Sequence, residues 1–240
     1  MHYVISDIHG HHDKFIKLLK TISFSAEDRL FVLGDVIDRG PDPIGLLLHI
    51  MEMPNVTLLI GNHEHMMLSC KSEKDYLLWR KNGSQPTVKQ FKELSSNLRD
   101  SVMEYLYNCP LAIPELCVNN RRYYLVHSAP VPFVLSSQFL YKNALVDVIE
   151  EAVWSRSLAN TEIRPKDLFP RLLKTYRGTT LIIGHTATHK CSYGITNSRL
   201  NQPRISRYYH GRLINIDCGC SYGLNLGCLR LEDHYEFYVN

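Results

Sequence analysis

Five short apolar, β-branched runs in this chain each end in Asp, His or Asn, and that repetition narrows the folds open to it. Tyr3–Ser6 leads into Asp7 and His9, and Leu30–Leu33 into Gly34-Asp35. Val56–Ile60 leads into Gly61-Asn62-His63, Tyr123–Val126 into His127, and Leu181–Ile183 into Gly184-His185. Runs of this length bounded by glycine predict buried strands. Between the first two, His12–Ile22 carries Phe15, Leu18, Leu19 and Ile22 at helical spacing, and Pro43–Met51 predicts a second helix. This alternation implies βαβ units and a partly parallel sheet. Ligands of such sheets sit where loops leave the carboxyl ends of the strands, so five polar strand ends point to one site assembled from distant segments.

Residues 69–109 interrupt the alternation. They are polar, place Tyr76, Leu77 and Leu78 and then Phe91, Leu94 and Leu98 in helical patterns, and hold the turn-like Asn82-Gly83-Ser84. A helical insertion at about 69–109 is the expectation. Beyond it, Leu213–Ile216, Leu226–Leu231 and Tyr235–Val239 predict a closing β-meander. No linker or repeat separates these parts, so residues 1–240 are expected to form a single domain.

At 45% hydrophobic and 21% charged residues the chain can bury a sizeable core, which excludes disorder as its main state. The apolar stretch Ile44–Met51 is broken by Gly45 and His49, far short of the ~20 residues a membrane span needs. Asp7 stands where a signal peptide would have its apolar centre, so a cytoplasmic protein is expected. The seven cysteines form no CxxC pair, and none has Arg six positions later, which excludes a cysteine-based phosphatase loop. The formal charge of +3 hides an asymmetry: Leu168–Ile216 holds eight basic residues and no acid, leaving 19 bases against 24 acids elsewhere. That segment, five of whose eight basic residues fall within 186–212, can be a solvated loop, a field that steers anionic substrates, or a nucleic-acid surface. No binding motif accompanies the last option, so nucleic acid is not the expected partner.

Carboxylate, imidazole and amide oxygens together suit a divalent first-row ion rather than Ca²⁺. Asp7 and His9, two apart, can face one ion, and a carboxylate after glycine, such as Asp35, can bridge two. Two such ions about 3.5–4 Å apart can share a water and clamp a phosphoryl group. The motifs carry a resemblance. Gly34-Asp35-Val36-Ile37-Asp38-Arg39-Gly40 matches GDxxDRG, Gly61-Asn62-His63-Glu64 matches GNHE, and Asp7-Ile8-His9 precedes both in the right order. The chain thus resembles the phosphoprotein phosphatase (PPP) family of metallophosphoesterases from residue 3 to about 232. Trp79-x-x-Asn82-Gly83, Trp154-Ser155-Arg156 and Ile216-Asp217-Cys218-Gly219 are similar to its small bacterial and phage-lambda branch.

The resemblance implies an α/β fold: a calcineurin-like β-sandwich with flanking helices. It implies that Asp7, His9 and Asp35 hold one metal and Asp35, Asn62, His127 and His185 a second, with Asp35 as the bridge. His63 is the implied general acid, oriented by Asp38, while Arg39 and Arg156 grip phosphate oxygens. Direct attack by metal-bridging hydroxide follows, with two divalent ions as cofactors, Mn²⁺ first and Fe²⁺ or Zn²⁺ as alternatives. Two departures stand out: His127-Ser128-Ala129-Pro130 replaces the family's usual His-Ala-Gly, and the stretch from Thr186 to Asp217 is long for this branch. Among the other polar residues, His11, His12 and His65 suit helix starts. Glu64 suits a role in fixing backbone, Asp217 and Cys218 a strand end, and Tyr222 the site mouth or simple packing.

The expected activity is hydrolysis of phosphoserine and phosphothreonine monoesters, with phosphotyrosine as a secondary substrate and phosphorylated proteins or peptides as partners. One alternative is a symmetrical dinucleoside polyphosphate hydrolase, which needs room for a second nucleotide. Another is a non-catalytic, metal-dependent regulator that binds phosphoproteins, against which an intact Asp38, Arg39 and His63 argue.

Overall fold

The structure is a computed structural model that describes residues 1–131, 139–158, 174–191 and 203–240. Its elements run β1 (His2–Ile5), α1 (His12–Thr21), β2 (Arg29–Val32), α2 (Pro43–Met51), β3 (Val56–Leu58) and α3 (Asn62–Ser69). Three further helices follow, α4 (Glu73–Lys81), α5 (Gln85–Glu93) and α6 (Ser96–Asn108). Then come β4 (Pro110–Val118), β5 (Arg121–Val126), β6 (Phe139–Leu140), α7 (Val146–Trp154), β7 (Thr179–Ile183), β8 (Ser206–Tyr208), β9 (Leu213–Asn215), β10 (Leu226–Arg230) and β11 (Glu236–Val239).

Two mixed sheets make a sandwich flanked by helices. One has the order β11-β10-β1-β2-β3, the other β6-β4-β5-β7-β9-β8. β1, β2 and β3 are parallel, as the alternating pattern predicts, and so are β5, β7 and β9. Successive side chains on a strand face opposite ways, and the sequence divides them cleanly between two cores. Val4, Phe31, Tyr123, Leu125, Ile182 and Ile214 form the layer between the sheets. Their neighbours Tyr3, Ile5, Tyr124, Val126, Leu181 and Ile183 pack in the larger cluster with the helices, including Phe15 and Leu18 of α1. Strands covered on both faces explain why the runs are continuously apolar rather than alternating.

The expected closing meander is not what forms. β9 pairs in parallel with β7, whereas β10 crosses to the other sheet and lies antiparallel to β1, with β11 beside it. Of the three strands expected in the meander, only β10 and β11 pair with each other; β9 makes its local hairpin with β8. Between α3 and β4, residues 73–108 form three consecutive helices, α4, α5 and α6. α4 starts in a capping box in which Ser72 Oγ accepts from Asp75 N at 3.2 Å and Asp75 Oδ2 accepts from Ser72 N at 2.9 Å. α2 starts with Pro43 after Asp42, whose carboxylate accepts from Gly45 N at 3.2 Å. No helix among the described residues is long and apolar enough to cross a membrane.

The described part of the basic segment is less unopposed in space than along the chain. Arg207 is paired with Glu236, and Arg204 lies over the Tyr238 ring. Arg212 donates to Tyr176 O at 2.9 Å, and Lys190 covers the Tyr222 ring at 3.9 Å. Arg171 and Arg199 lie outside the described residues.

Candidate metal centre and active site

The loops after β1, β2, β3, β5 and β7 meet at one end of the sandwich and are stitched by backbone bonds. Asp7 N donates to Gly34 O at 3.2 Å, His9 N to Asp35 O at 2.9 Å, and Gly184 N to His127 O at 2.8 Å. The stitching forces unusual backbone. Asp7, His9, Asp35, Asp38, Arg39 and His185 all have φ between 49° and 71°, a region non-glycine residues avoid and one that clusters at functional sites. Gly34, at φ +80°, is required by proximity as well: a Cβ there would stand 2.4 Å from Gly61 N.

Asp35 lies at the centre, fully buried. Its Oδ2 is 3.5 Å from His9 Nε2 and its Oδ1 is 3.5 Å from His127 Nε2. His9 Nδ1 lies 3.0 Å from Ile37 O, and His127 Nδ1 lies 2.6 Å from Leu33 O. A carbonyl can only accept, so both Nδ1 atoms carry a proton, and both Nε2 atoms face Asp35. On the His127 side, Asn62 Oδ1 is 3.1 Å from His127 Nε2 and 2.9 Å from His185 Nδ1, and those two nitrogens are 3.2 Å apart. Ligand atoms of Asp35, His127 and His185 lie within 4.8 Å of one another, as do those of His9, Asp35 and His63.

Electrostatics favour a cation. Burial, reinforced by the charges of Asp7 and Glu64, pushes Asp35 well above the usual carboxylate range. Asp217 is raised the same way by burial and by Asp7. Burial and neighbouring positive groups hold His9, His63 and His185 well below their ordinary values, so the rings are neutral, the form that ligates metal. One positive group already stands at the rings: Arg39 donates from Nη1 to His9 Nε2 at 3.0 Å and from Nη2 to His63 Nε2 at 3.0 Å. Two His/Asp clusters sharing one carboxylate fit a binuclear divalent centre of nitrogen and oxygen donors.

His63 stands beside this centre, with Nδ1 2.6 Å from Asp38 Oδ2. Of the residues singled out in the sequence, the structure thus brings together His9, Asp35, Asn62, His127, His185, His63, Asp38 and Arg39. Asp7 is buried next to them but spends Oδ2 on His185 N at 3.0 Å and on the Ser6 hydroxyl, outside both ligand clusters. Arg156 donates to Thr186 Oγ1 at 2.9 Å, near enough for its charge to act on His185. His65 faces away, with Nδ1 2.8 Å from Tyr141 Oη and Nε2 3.4 Å from Glu150.

Glu64 does fix backbone. Its carboxylate accepts from Asp35 N at 2.9 Å, Val36 N at 2.8 Å, Ile37 N at 3.2 Å and Gly61 N at 3.0 Å, joining the second and third loops. Sequence reasoning missed Thr87, which bonds Asp38 from α5. For Trp79 the Trp-x-x-Asn-Gly spacing was a signal of resemblance but carried no role.

This combination of a two-sheet sandwich with two strand-end His/Asp clusters that share one carboxylate defines a metallophosphoesterase-type fold and site. The chain belongs to the calcineurin-like phosphoesterase family, whose model matches residues 3–211. It is 28% identical over 159 residues to the symmetrical bis(5'-nucleosyl)-tetraphosphatase of Delftia acidovorans, covering 65% of this chain and 53% of that protein. It is 39% identical over 82 residues to serine/threonine-protein phosphatase 1 of Salmonella typhimurium, covering 34% of this chain and 38% of that protein. The chain therefore matches about half the length of the first of these relatives and less of the second. A cold-active protein tyrosine phosphatase superposes with a TM-score of 0.62 at 16% identity, over 100% of this chain and 78% of that one, a likeness of fold.

Proposed function

We propose that this protein is a metal-dependent hydrolase of phosphate esters and anhydrides whose preferred substrate is a symmetrical dinucleoside polyphosphate. The observation that carries the hydrolase reading is Asp35, each of whose carboxylate oxygens faces a different histidine at 3.5 Å. Divalent ions held by His9, Asp35, Asn62, His127 and His185, with Asp7 alongside, would polarise the phosphoryl group and activate water near neutral pH. Mn²⁺ is the ion proposed first, with Fe²⁺ and Zn²⁺ as alternatives that the same donors accept.

The protein's own groups do the rest. Arg39 turns from the two imidazoles to the phosphate oxygens, where a planar guanidinium binds in bidentate fashion, and Arg156 supports it. The negative charge that arrives with the phosphate opposes the burial and the Arg39 charge that hold His63 neutral. His63 then carries a proton at Nε2 for the leaving oxygen while Nδ1–H stays on Asp38.

Two observations support the dinucleotide as substrate. The Delftia relative, matched over nearly twice the length of the Salmonella one, is named a symmetrical tetraphosphatase. Beside Arg39, a groove of about 760 Å³ runs between His11, Gln85, Lys89, Glu93 and Ser221, built partly by the insertion. It offers the room, and in Lys89 the positive charge, that a second nucleotide needs. Phosphoserine and phosphothreonine in proteins, first in the sequence reading, become the second reading, supported by the Salmonella relative's name. Turnover of diadenosine tetraphosphate and of a phosphoserine peptide by the Mn²⁺-loaded protein separates the two. We expect two ADP per tetraphosphate and a kcat/KM about tenfold or more above that for the peptide. The reverse order would establish the second reading, and no turnover of either would refute both.

A further inference from the structure

Asp38 is completely buried and its carboxylate is saturated by side chains from three places. Oδ2 accepts from His63 Nδ1 at 2.6 Å and from Trp79 Nε1 at 2.7 Å, and Oδ1 accepts from Thr87 Oγ1 at 2.5 Å. Thr87 Oγ1 in turn accepts from the backbone N–H of Asp38 at 2.9 Å. Trp79 and Thr87 belong to neither the strand ends nor the ligand loops; they lie at the end of α4 and in the first turn of α5. Between them, Gly83 O accepts from Arg39 N at 2.9 Å, and Asn82 O accepts from Arg39 Nε at 3.4 Å. Gly83 itself sits at φ +101°, and a Cβ there would stand 2.9 Å from Arg39 Cγ. One nine-residue segment thus bonds both backbone N–H groups of the left-handed pair Asp38 and Arg39, and both of their side chains.

We propose that the segment Trp79–Thr87 is a positioning element for proton delivery, in which Trp79 and Thr87 lock the Asp38 carboxylate so that His63 aims Nε2 at the leaving oxygen. This inference rests on the phosphoryl hydrolysis proposed above. A carboxylate with a donor on each oxygen has one rotamer that satisfies all of them. With either donor gone, the buried group is free to turn toward other partners, and the imidazole it orients turns with it. The proton moves from His63 Nε2 to the oxygen whose P–O bond breaks, and the incoming water restores it after turnover. The benefit of a well-aimed acid scales with the basicity of that oxygen. A weakly basic p-nitrophenolate leaves almost unaided, whereas phenolate or an alkoxide needs the proton.

The test compares p-nitrophenyl phosphate with phenyl phosphate in the Mn²⁺-loaded wild type, Thr87→Val, Thr87→Ser and Trp79→Phe, with metal content measured in each. We expect Thr87→Val and Trp79→Phe to lose about tenfold or more in kcat on the phenyl ester but about threefold or less on the nitrophenyl ester. Thr87→Ser restores the hydroxyl and returns both rates to near wild type, and all variants keep their metal. Equal losses on the two esters, or no loss on either, would overturn the positioning role. Wild type that hydrolyses neither these esters nor diadenosine tetraphosphate would refute the hydrolase reading itself, whereas activity on the tetraphosphate alone, or parallel losses on the two esters in an active enzyme, would refute only this inference. Should Thr87→Val fail to fold, Trp79→Phe decides the question by the same criterion.

Discussion

His63 and Asp38 are both completely buried and stand 2.6 Å apart, Nδ1 to Oδ2, while His63 Nε2 lies 3.9 Å from Asp35 Oδ2. That Nε2 lies within 4.8 Å of the His9 and Asp35 ligand atoms, and the bond from Nδ1 to Asp38 is what assigns His63 to proton delivery rather than ligation, which makes the two functions separable. His63→Asn should lower kcat by about 100-fold or more while metal content stays at the wild-type value. Metal analysis beside steady-state turnover checks this; a variant with near-normal turnover would exclude His63 as the proton donor.

Burial pushes the Asp38 carboxyl up to about 7, against the hydrogen bonds of Thr87 and Trp79 and the charge of Arg39. In the metal-free protein the sign of the effect on stability is fixed. Below about pH 4 folded and unfolded chains both hold the proton, and between about pH 4 and 7 only the folded chain does. Wild type should therefore lose stability across that window relative to Asp38→Asn, which has no such proton, by roughly 2–4 kcal/mol in total. Denaturant unfolding of both proteins at several pH values measures the gap, and parallel stability curves would refute it.

Glu64 offers a purely structural prediction. Its carboxylate takes four backbone N–H groups from the GDxxDRG and GNHE loops. Glu64→Gln replaces an acceptor oxygen with a donor amide that faces other donors, which should cost about 2–4 kcal/mol. Urea unfolding reads this directly, and a loss below about 1 kcal/mol would mean that the loops hold themselves.

Much of this site was legible because its information is local. Strand ends such as Leu30–Leu33 before Gly34-Asp35 announce themselves by apolar runs, a glycine and a ligand-type residue within six positions. Non-local pairing leaves no such mark. Nothing in Leu213–Asn215 says that it joins β7, while Leu226–Arg230 crosses to β1. Arg207 looked unopposed along the chain because its partner, Glu236, lies 29 residues away. Thr87 was invisible for a related reason: a threonine in the first turn of a helix resembles any helix start, and its bond to Asp38 spans 49 residues. Asp7 was legible as a ligand type, but not its present engagement with Ser6 and with His185 N.

The central claim is that Asp35 joins two cation sites, with one oxygen toward His9 and the other toward His127. The most direct measurement is metal stoichiometry, read by elemental analysis after Mn²⁺ loading and removal of free ion, for wild type and Asp35→Asn. Wild type should hold about two ions per chain and the variant about one or fewer, since the asparagine keeps a single acceptor oxygen and no charge. Two ions retained by Asp35→Asn, or a single ion in wild type, would contradict the bridging role.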